Sequence, residues 1–443
     1  MQNTESQTDY TDQPVATNRG LIAISPVAVF LALYVAVSVI SGDFYRMPIA
    51  VALAAASIWS VIIYRGHSLQ ERIDTFSRAA GSPNIMYMIW VFILAGAFAS
   101  LAKETGSVDA TVTLTLQWLP PQMVVPGLFV AACFISLSIG TSVGTVVALT
   151  PLAAELANSG AAPLPFMTAV VIGGAFFGDN LSFISDTTIA ATRTQGCNMN
   201  DKFRANLWIV LPAAIATMTL YTCLGQAADP IATDHEINPW LVLPYLIIIA
   251  TALMGINVTI VLSLGIVSSL MLAMAGGADI MTLCGYMGTG IGSMGDLIVI
   301  TLLAAGMLGI IKAAGGISFI LQCLTSRISS VPGAKASIVG LVGLVNLCTA
   351  NNTVAIITVG SLARSIASRF GIPPRRTASL LDTGSCIVQC IIPYGAQTLL
   401  ASSLAGISPV APFPYLYYPW ALALSVSVAM FIPWKRGGKA PRQ

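Results

Sequence analysis

Gly178-Asp-Asn-Leu-Ser-Phe-Ile-Ser-Asp-Thr-Thr-Ile-Ala-Ala-Thr-Arg-Thr194 sets two carboxylates, Asp179 and Asp186, among Asn180, Ser182, Ser185, Thr187 and Thr188. The run before it, Pro165 to Phe177, carries no charge. A carboxylate pair that deep in an apolar chain is costly, and its default reading is a site for a cation or a proton. Asp179 and Asp186 are seven positions apart, so one continuous helix puts them on the same face two turns apart. A break between them would bring them closer. A carboxylate taken out of water can hold a proton at neutral pH and surrender it when a cation arrives. Asp179, which follows the longer apolar run, is the favoured titrating group. Asp186 could equally cap the helix that Thr187 and Thr188 begin.

The rest of the chain agrees with a membrane setting. Of 443 residues, 56% are hydrophobic and 9% charged, and the mean hydropathy is +0.82. Soluble domains average about 25% charged residues. The expected fold is an all-α polytopic membrane protein of about 10–13 transmembrane segments. The net charge of +2 is spread over helix ends, which leaves nucleic-acid binding without support. Eight cysteines form no CxxC pair, and His67 and His235 stand apart in polar segments. Neither a zinc centre, a cofactor nor an enzymatic nucleophile–base pair is expected.

Hydropathy divides the chain into a polar tail at 1–20, a first membrane half at 21–225 and an acidic loop at 226–237. A second membrane half follows at 238–434, then a basic tail at 435–443. The tail at 1–20 lacks a basic n-region, so no cleavable signal peptide is expected. Arg65, Arg72 and Arg78 place the segment after the second span in the cytoplasm, and Leu69, Ile73 and Phe76 have the spacing of an interfacial helix. Both termini then fall in the cytoplasm and the acidic loop outside.

The halves repeat. Ile93–Ala97 ending at Lys103 matches Leu302–Gly306 ending at Lys312, and Thr145–Thr150 matches Thr353–Thr358. The offsets of 209 and 208 define repeats at about 47–200 and 256–409. The basic loop Arg65–Arg78 corresponds to Gly276–Gly292, which has no Lys or Arg. Corresponding loops on opposite sides indicate inverted-topology repeats.

Four polar breaks interrupt apolar runs in paired positions: Gly140–Thr145, Gly178–Thr188, Thr349–Thr353 and Asp382–Gln397. Discontinuous helices or re-entrant hairpins at such positions mark a transporter's binding site, because irregular backbone at membrane depth must be buried or line a cavity. Thr141, Ser142, Thr145, Asn351, Asn352, Thr353, Asp382 and Gln389 are the secondary site candidates. Asp382 has an alternative as a helix cap near Arg375-Arg376. Lys103 and Lys312 either snorkel or serve as charge partners of an unoccupied aspartate. Arg193, Lys202 and Arg204 read as cytoplasmic anchors.

Gly178-Asp-Asn-Leu-Ser-Phe-Ile-Ser-Asp-Thr-Thr188 resembles the Gly-Asp-x-x-Ser-Pro-x-Ser-Asp-Thr-Thr signature of the NhaC-type sodium/proton antiporters of the ion transporter superfamily. Gly140-Thr-Ser-Val-Gly-Thr145 is similar to the element that precedes it there. The resemblance spans about Leu21 to Trp434. Phe183 stands where the signature has proline, and Asn180 where a basic residue is frequent. The resemblance implies a secondary transporter of the bacterial inner membrane exchanging Na+ for H+. It makes Asp179, Ser182, Ser185, Asp186 and Thr187 cation and proton ligands, with Na+ at Asp179 and Asp186. Family relatives also move organic anions or amino acids, so sodium-coupled transport of a small organic solute is the alternative. The expected partners are the lipid bilayer, sodium, protons and a second copy of the chain as a candidate homodimer.

Overall fold

The computed structural model describes residues 17–41, 47–182, 185–224, 238–254, 256–325 and 329–431. The acidic loop 226–237, the basic tail 435–443, residues 1–16 and Phe183 lie outside these. Among the described residues all regular structure is helical. The first half contains α1 (Thr17–Ser41), α2 (Ile49–Ile63), α3 (Leu69–Ala80), α4 (Pro83–Glu104), α5 (Ser107–Trp118), α6 (Pro121–Ile139), α7 (Ser142–Asn158), α8 (Leu164–Leu181), α9 (Asp186–Gln195) and α10 (Met199–Leu224). The second contains α11 (Leu243–Leu253), α12 (Val258–Ala275), α13 (Ile280–Ser293), α14 (Gly295–Ala313), α15 (Gly316–Thr325), α16 (Val331–Thr349), α17 (Asn352–Arg369), α18 (Pro374–Ile391), α19 (Ala396–Ala405) and α20 (Tyr417–Phe431). Among the described residues seven helical stretches are long and apolar enough to cross a bilayer, and five shorter helices are apolar as well.

Helix boundaries recur at a fixed distance. α16 to α19 start at 331, 352, 374 and 396, each 210 residues after α6 to α9 at 121, 142, 164 and 186. That register is slightly longer than the 208–209 of the residue matches, because caps rather than side-chain identities set the helix ends. Gly140 closes α6 at φ 73°, and extended Thr141 then accepts the Gly144 N–H. Ala350 closes α16 at φ 47°, and extended Asn351 accepts the Val354 N–H. Glycine adopts the left-handed conformation freely, whereas alanine there costs about 1 kcal/mol. Pro163 and Pro373 precede α8 and α18 in the same register. Proline stops the preceding chain from continuing as helix.

Two expectations are corrected here. Gly276–Gly292 is not a loop throughout: from Ile280 it is α13, in which Gly290 lies close against Gly96 of α4 while Gly285, Gly288 and Gly292 meet open space. The break predicted to start at Asp382 starts only at Ile392, since Asp382 to Ile391 is continuous helix. Its Ser, Thr and Gly content looks like a break, but the burial of Asp382 to Cys386 lets these small residues pack.

The chain forms two compact units. The first, Met1–Met86 with Val299–Ile328, holds α1 to α3, the body of α14 and α15. α1 packs on α2 and α15, while Gly306 and Gly309 of α14 lie against Phe76 and Ala79 of α3. α3 opens with a capping box in which Ser68 and Glu71 satisfy each other's backbone N–H. The Ser68 N–H and hydroxyl hold the Glu71 carboxyl below its usual range. Leu69 and Ile73 are exposed, and Phe76 faces α14.

The second unit, Tyr87–Ile298 with Ser329–Gln443, carries the site. α6, α7 and α8 pack together, and α16, α17 and α18 do the same. The short helix after each of the later breaks crosses to the other group. α9 packs on α17 and α18, and α19 packs on α7 and α8. α10 and α20 pack on each other and on α18. Arg376 and Lys335 donate to the carbonyls of Ala429 and Met430 at 2.6 and 2.8 Å, placing two cations at the C-terminus of α20.

Candidate functional site

Asp179 lies in the last turn of α8, before the extended residues Ser182 and Ser185 separate α8 from α9. It is only 4% exposed. Its Oδ1 accepts the Ser142 N–H at 3.0 Å and its Oδ2 accepts the Ser142 hydroxyl at 2.5 Å. Ser142 is the first residue of α7, so its N–H has no intrahelical partner and is free to bind an anion. The exchanged helix α19 completes the cluster. Gln397 Nε2 donates to Ser142 Oγ at 2.9 Å, and Gln389 Nε2 donates to Gln397 Oε1 at 3.0 Å and to the Ala350 carbonyl at 2.9 Å. One hydrogen-bonded chain therefore runs from the α8 carboxylate to the left-handed cap of α16. Gln389 occupies the position of Asp179 in the second register, so a neutral amide stands where the first repeat has an acid.

A second cluster begins one residue further on. Lys202 Nζ lies 2.7 Å from Asp382 Oδ2, with both side chains essentially out of solvent. The same ammonium donates to the Asn180 carbonyl at 2.8 Å and to Thr188 Oγ1 at 2.6 Å. Asn206 Nδ2 bridges the Asn180 carbonyl and Asp382 Oδ2, both at 2.8 Å. Asn180 Nδ2 donates to Phe176 O at 2.9 Å and to Tyr418 Oη at 3.2 Å. Among the described residues, three oxygens of this cluster, Asp382 Oδ1, Asn180 Oδ1 and Asn206 Oδ1, are buried without a hydrogen-bond donor.

The other candidate residues divide by position. Thr187 donates to the Asp179 carbonyl at 3.3 Å and shares a 2.9 Å hydroxyl contact with Ser185, so the break is tied back onto α8. The Ser182 carbonyl accepts the Thr188 hydroxyl. Asp186 is exposed and is the first residue of α9, with Ser185 as N-cap. Thr141 and Asn351 cap their helices, and buried Thr145 donates back to the Thr141 carbonyl. Asn352 faces Cys386 Sγ at 3.9 Å, and Thr353 donates its N–H to Asn352.

The charges pair differently from expectation. Lys202, read as a surface anchor, is 1% exposed and is the partner of Asp382. Asp382 is therefore mid-helix and ion-paired rather than a cap. Lys103 and Lys312 are exposed at their helix ends and make no ion pair among the described residues. Sequence reading missed Lys202, Asn206, Gln397 and Tyr418. A signal existed for the first two. Lys202, Asn206, Ile209, Ala213 and Thr217 follow helical spacing along the buried face of α10, while Arg204 points off it.

A family model described as the Na+/H+ antiporter family matches residues 2–226 and 236–434. The chain belongs to that family. It is similar to the Na(+)/H(+) antiporter NhaC of Bacillus subtilis (strain 168), with 23% identity over 83% of this chain and 87% of that one. It is similar to a malate-2H(+)/Na(+)-lactate antiporter of the same organism, with 22% identity over 91% and 92%. The arginine/ornithine antiporter ArcD of Halobacterium salinarum is 22% identical over 96% and 94%. A family member of this kind, with this set of apolar helices, is a multi-pass membrane protein and a secondary transporter, not an enzyme.

Proposed function

We propose that this family member exchanges sodium for protons across the bacterial cytoplasmic membrane, with Asp179 holding the cation or the proton in turn. One observation carries the reading. Among the described residues Asp179 is a buried carboxylate bonded through Ser142, with no fixed cation in ion-pair reach. A buried carboxylate needs a counter-charge or a proton. Asp382 has its counter-charge built in, so Asp179 is the acid whose compensation can come from outside.

The breaks beside Asp179 carry the hydroxyls of Thr141, Ser142, Ser185 and Thr187, the donor type a hard monovalent cation takes. Inverted orientation of the two repeats lets their rocking expose Asp179 to each side by turns, with both termini in the cytoplasm. Proteoliposomes with a proton gradient test the reading. Sodium, lithium and potassium are added in turn, and Asp179→Asn is the control. Sodium-dependent collapse of the gradient, lost in the variant, supports it. Unchanged exchange by the variant removes Asp179 from the mechanism.

A second reading is sodium-coupled movement of a small organic solute. The amides of Gln389 and Gln397 next to Ser142 favour it, because two carboxamides exceed what a bare cation needs. So do the names of the malate/lactate and arginine/ornithine relatives. Stimulation of sodium flux by a carboxylate or an amino acid in the same vesicles distinguishes it.

A further inference from the structure

We propose that the Lys202 pocket is a monovalent-cation site whose resident ion is the lysine's own ammonium, a tethered cation standing where a second sodium would bind. The donor set is the argument. Lys202 Nζ is held by a carboxylate oxygen of Asp382, the main-chain carbonyl of Asn180 and the hydroxyl of Thr188, all within 2.8 Å. Carboxylate, carbonyl and hydroxyl oxygens are the ligands proteins offer hard cations. The carbonyl belongs to the last turn of α8 and is unused by that helix, as the C-terminal carbonyls of a helix are. Three further oxygens of the cluster, Asp382 Oδ1, Asn180 Oδ1 and Asn206 Oδ1, are buried without donors among the described residues. A cluster built only to hold an ammonium has no use for that surplus of acceptors. A smaller ion, free to recruit more oxygens than an ammonium with three protons can engage, does.

The position fits as well. Asn180 adjoins Asp179, so the two clusters share the end of α8. Lys202 and Asn206 come from the first two turns of α10. The positions 210 residues further on, Pro412 and Leu416, flank a short 3-10 turn and carry no such side chains. The Lys202 and Asn206 side chains thus have no counterpart in the second half. In consequence the protein carries one exchangeable cation per cycle, the other place being filled permanently. The proposal rests on the chain's reading as a sodium transporter, but not on Asp179 being the exchange site.

The test is sodium-dependent thermal stability of the purified full chain in detergent, sodium chloride against choline chloride. It is run in the Asp179→Asn background so that the two sites are read separately. Asp179→Asn alone is expected to show no sodium dependence. Adding Lys202→Ala opens the pocket, and the melting temperature is expected to rise by several degrees with sodium. Adding Asp382→Asn to that pair removes the carboxylate and is expected to abolish the rise. A folded Lys202→Ala/Asp179→Asn protein indifferent to sodium overturns the proposal. So does recovery of Lys202→Ala in neither salt when Lys202→Ala/Asp382→Asn folds normally. Radioactive sodium bound by the wild type at equilibrium gives an independent count: one ion per chain is expected, and two overturns the proposal whatever the variants do. Sodium protection of wild type that survives in Asp179→Asn, with a sodium response still gained on Lys202→Ala, would instead count against Asp179.

Discussion

Asp179 and Asp382 lie on equivalent helices, α8 and α18, both out of water, yet each settles its charge by a different means. Asp179 rests on the first N–H of α7 and the hydroxyl of the same serine. Asp382 rests on an ammonium from α10 and an amide one turn further along. The helical scaffold is common to both repeats, so the scaffold does not decide which acid is paired. A single cationic side chain does. Where a lysine is fixed at 2.7 Å the charge is compensated for good. At Asp179 only dipoles are offered, with no fixed cation in ion-pair reach among the described residues.

Breaking this comparison at Asp179 gives the largest effect on function. Asp179→Asn is expected to reduce sodium-driven proton flux to that of empty liposomes while leaving helicity and the thermal transition close to wild type. Asp382→Asn acts in the opposite sense. It strands the Lys202 ammonium in the interior, a loss of about 3–5 kcal/mol that a melting curve detects. The folded fraction keeps its sodium dependence. Lys202→Met combined with Asp382→Asn recovers most of that stability, because no buried charge remains.

Smaller changes sharpen the contrast. Gln397→Ala removes the amide that α19 extends to Ser142 Oγ. The loss of about 1 kcal/mol is expected to appear as a several-fold rise in the sodium concentration for half-maximal exchange. At the paired caps, Ala350→Gly relieves a left-handed alanine and Gly140→Ala creates one. The first is expected to raise stability and the second to lower it, each by about 1 kcal/mol. Lys103→Ala, at an exposed helix end, is expected to leave exchange nearly unchanged.

Some of this was legible beforehand for definite reasons. Gly140-Thr141 and Ala350-Asn351 each combine a left-handed residue with an extended, capping one, which local chemistry specifies, and Ser182 and Ser185 are extended. The breaks could therefore be placed from residue types, and Asp179 stood out because the run before it has no other charge. Asp382 to Ile391 misled because small polar residues mark a break in one setting and tight packing in another. Lys202 misled because a basic residue near an apolar span usually faces the aqueous interface. Only its phase relative to Ile209 and Ala213 separates it from Arg204.

The sequence by itself determined the membrane class, the helical periodicity, the repeat and the presence of intramembrane acids, because composition and caps act over a few residues. Tertiary structure alone decided which acid is paired. Lys202 is far in sequence from Asp382, and Gln397 is far from Ser142. Their meeting depends on α10 packing against α18 and on α9 and α19 crossing between the repeats. No local rule carries that information, since a buried charge finds its partner through the packing of whole helices.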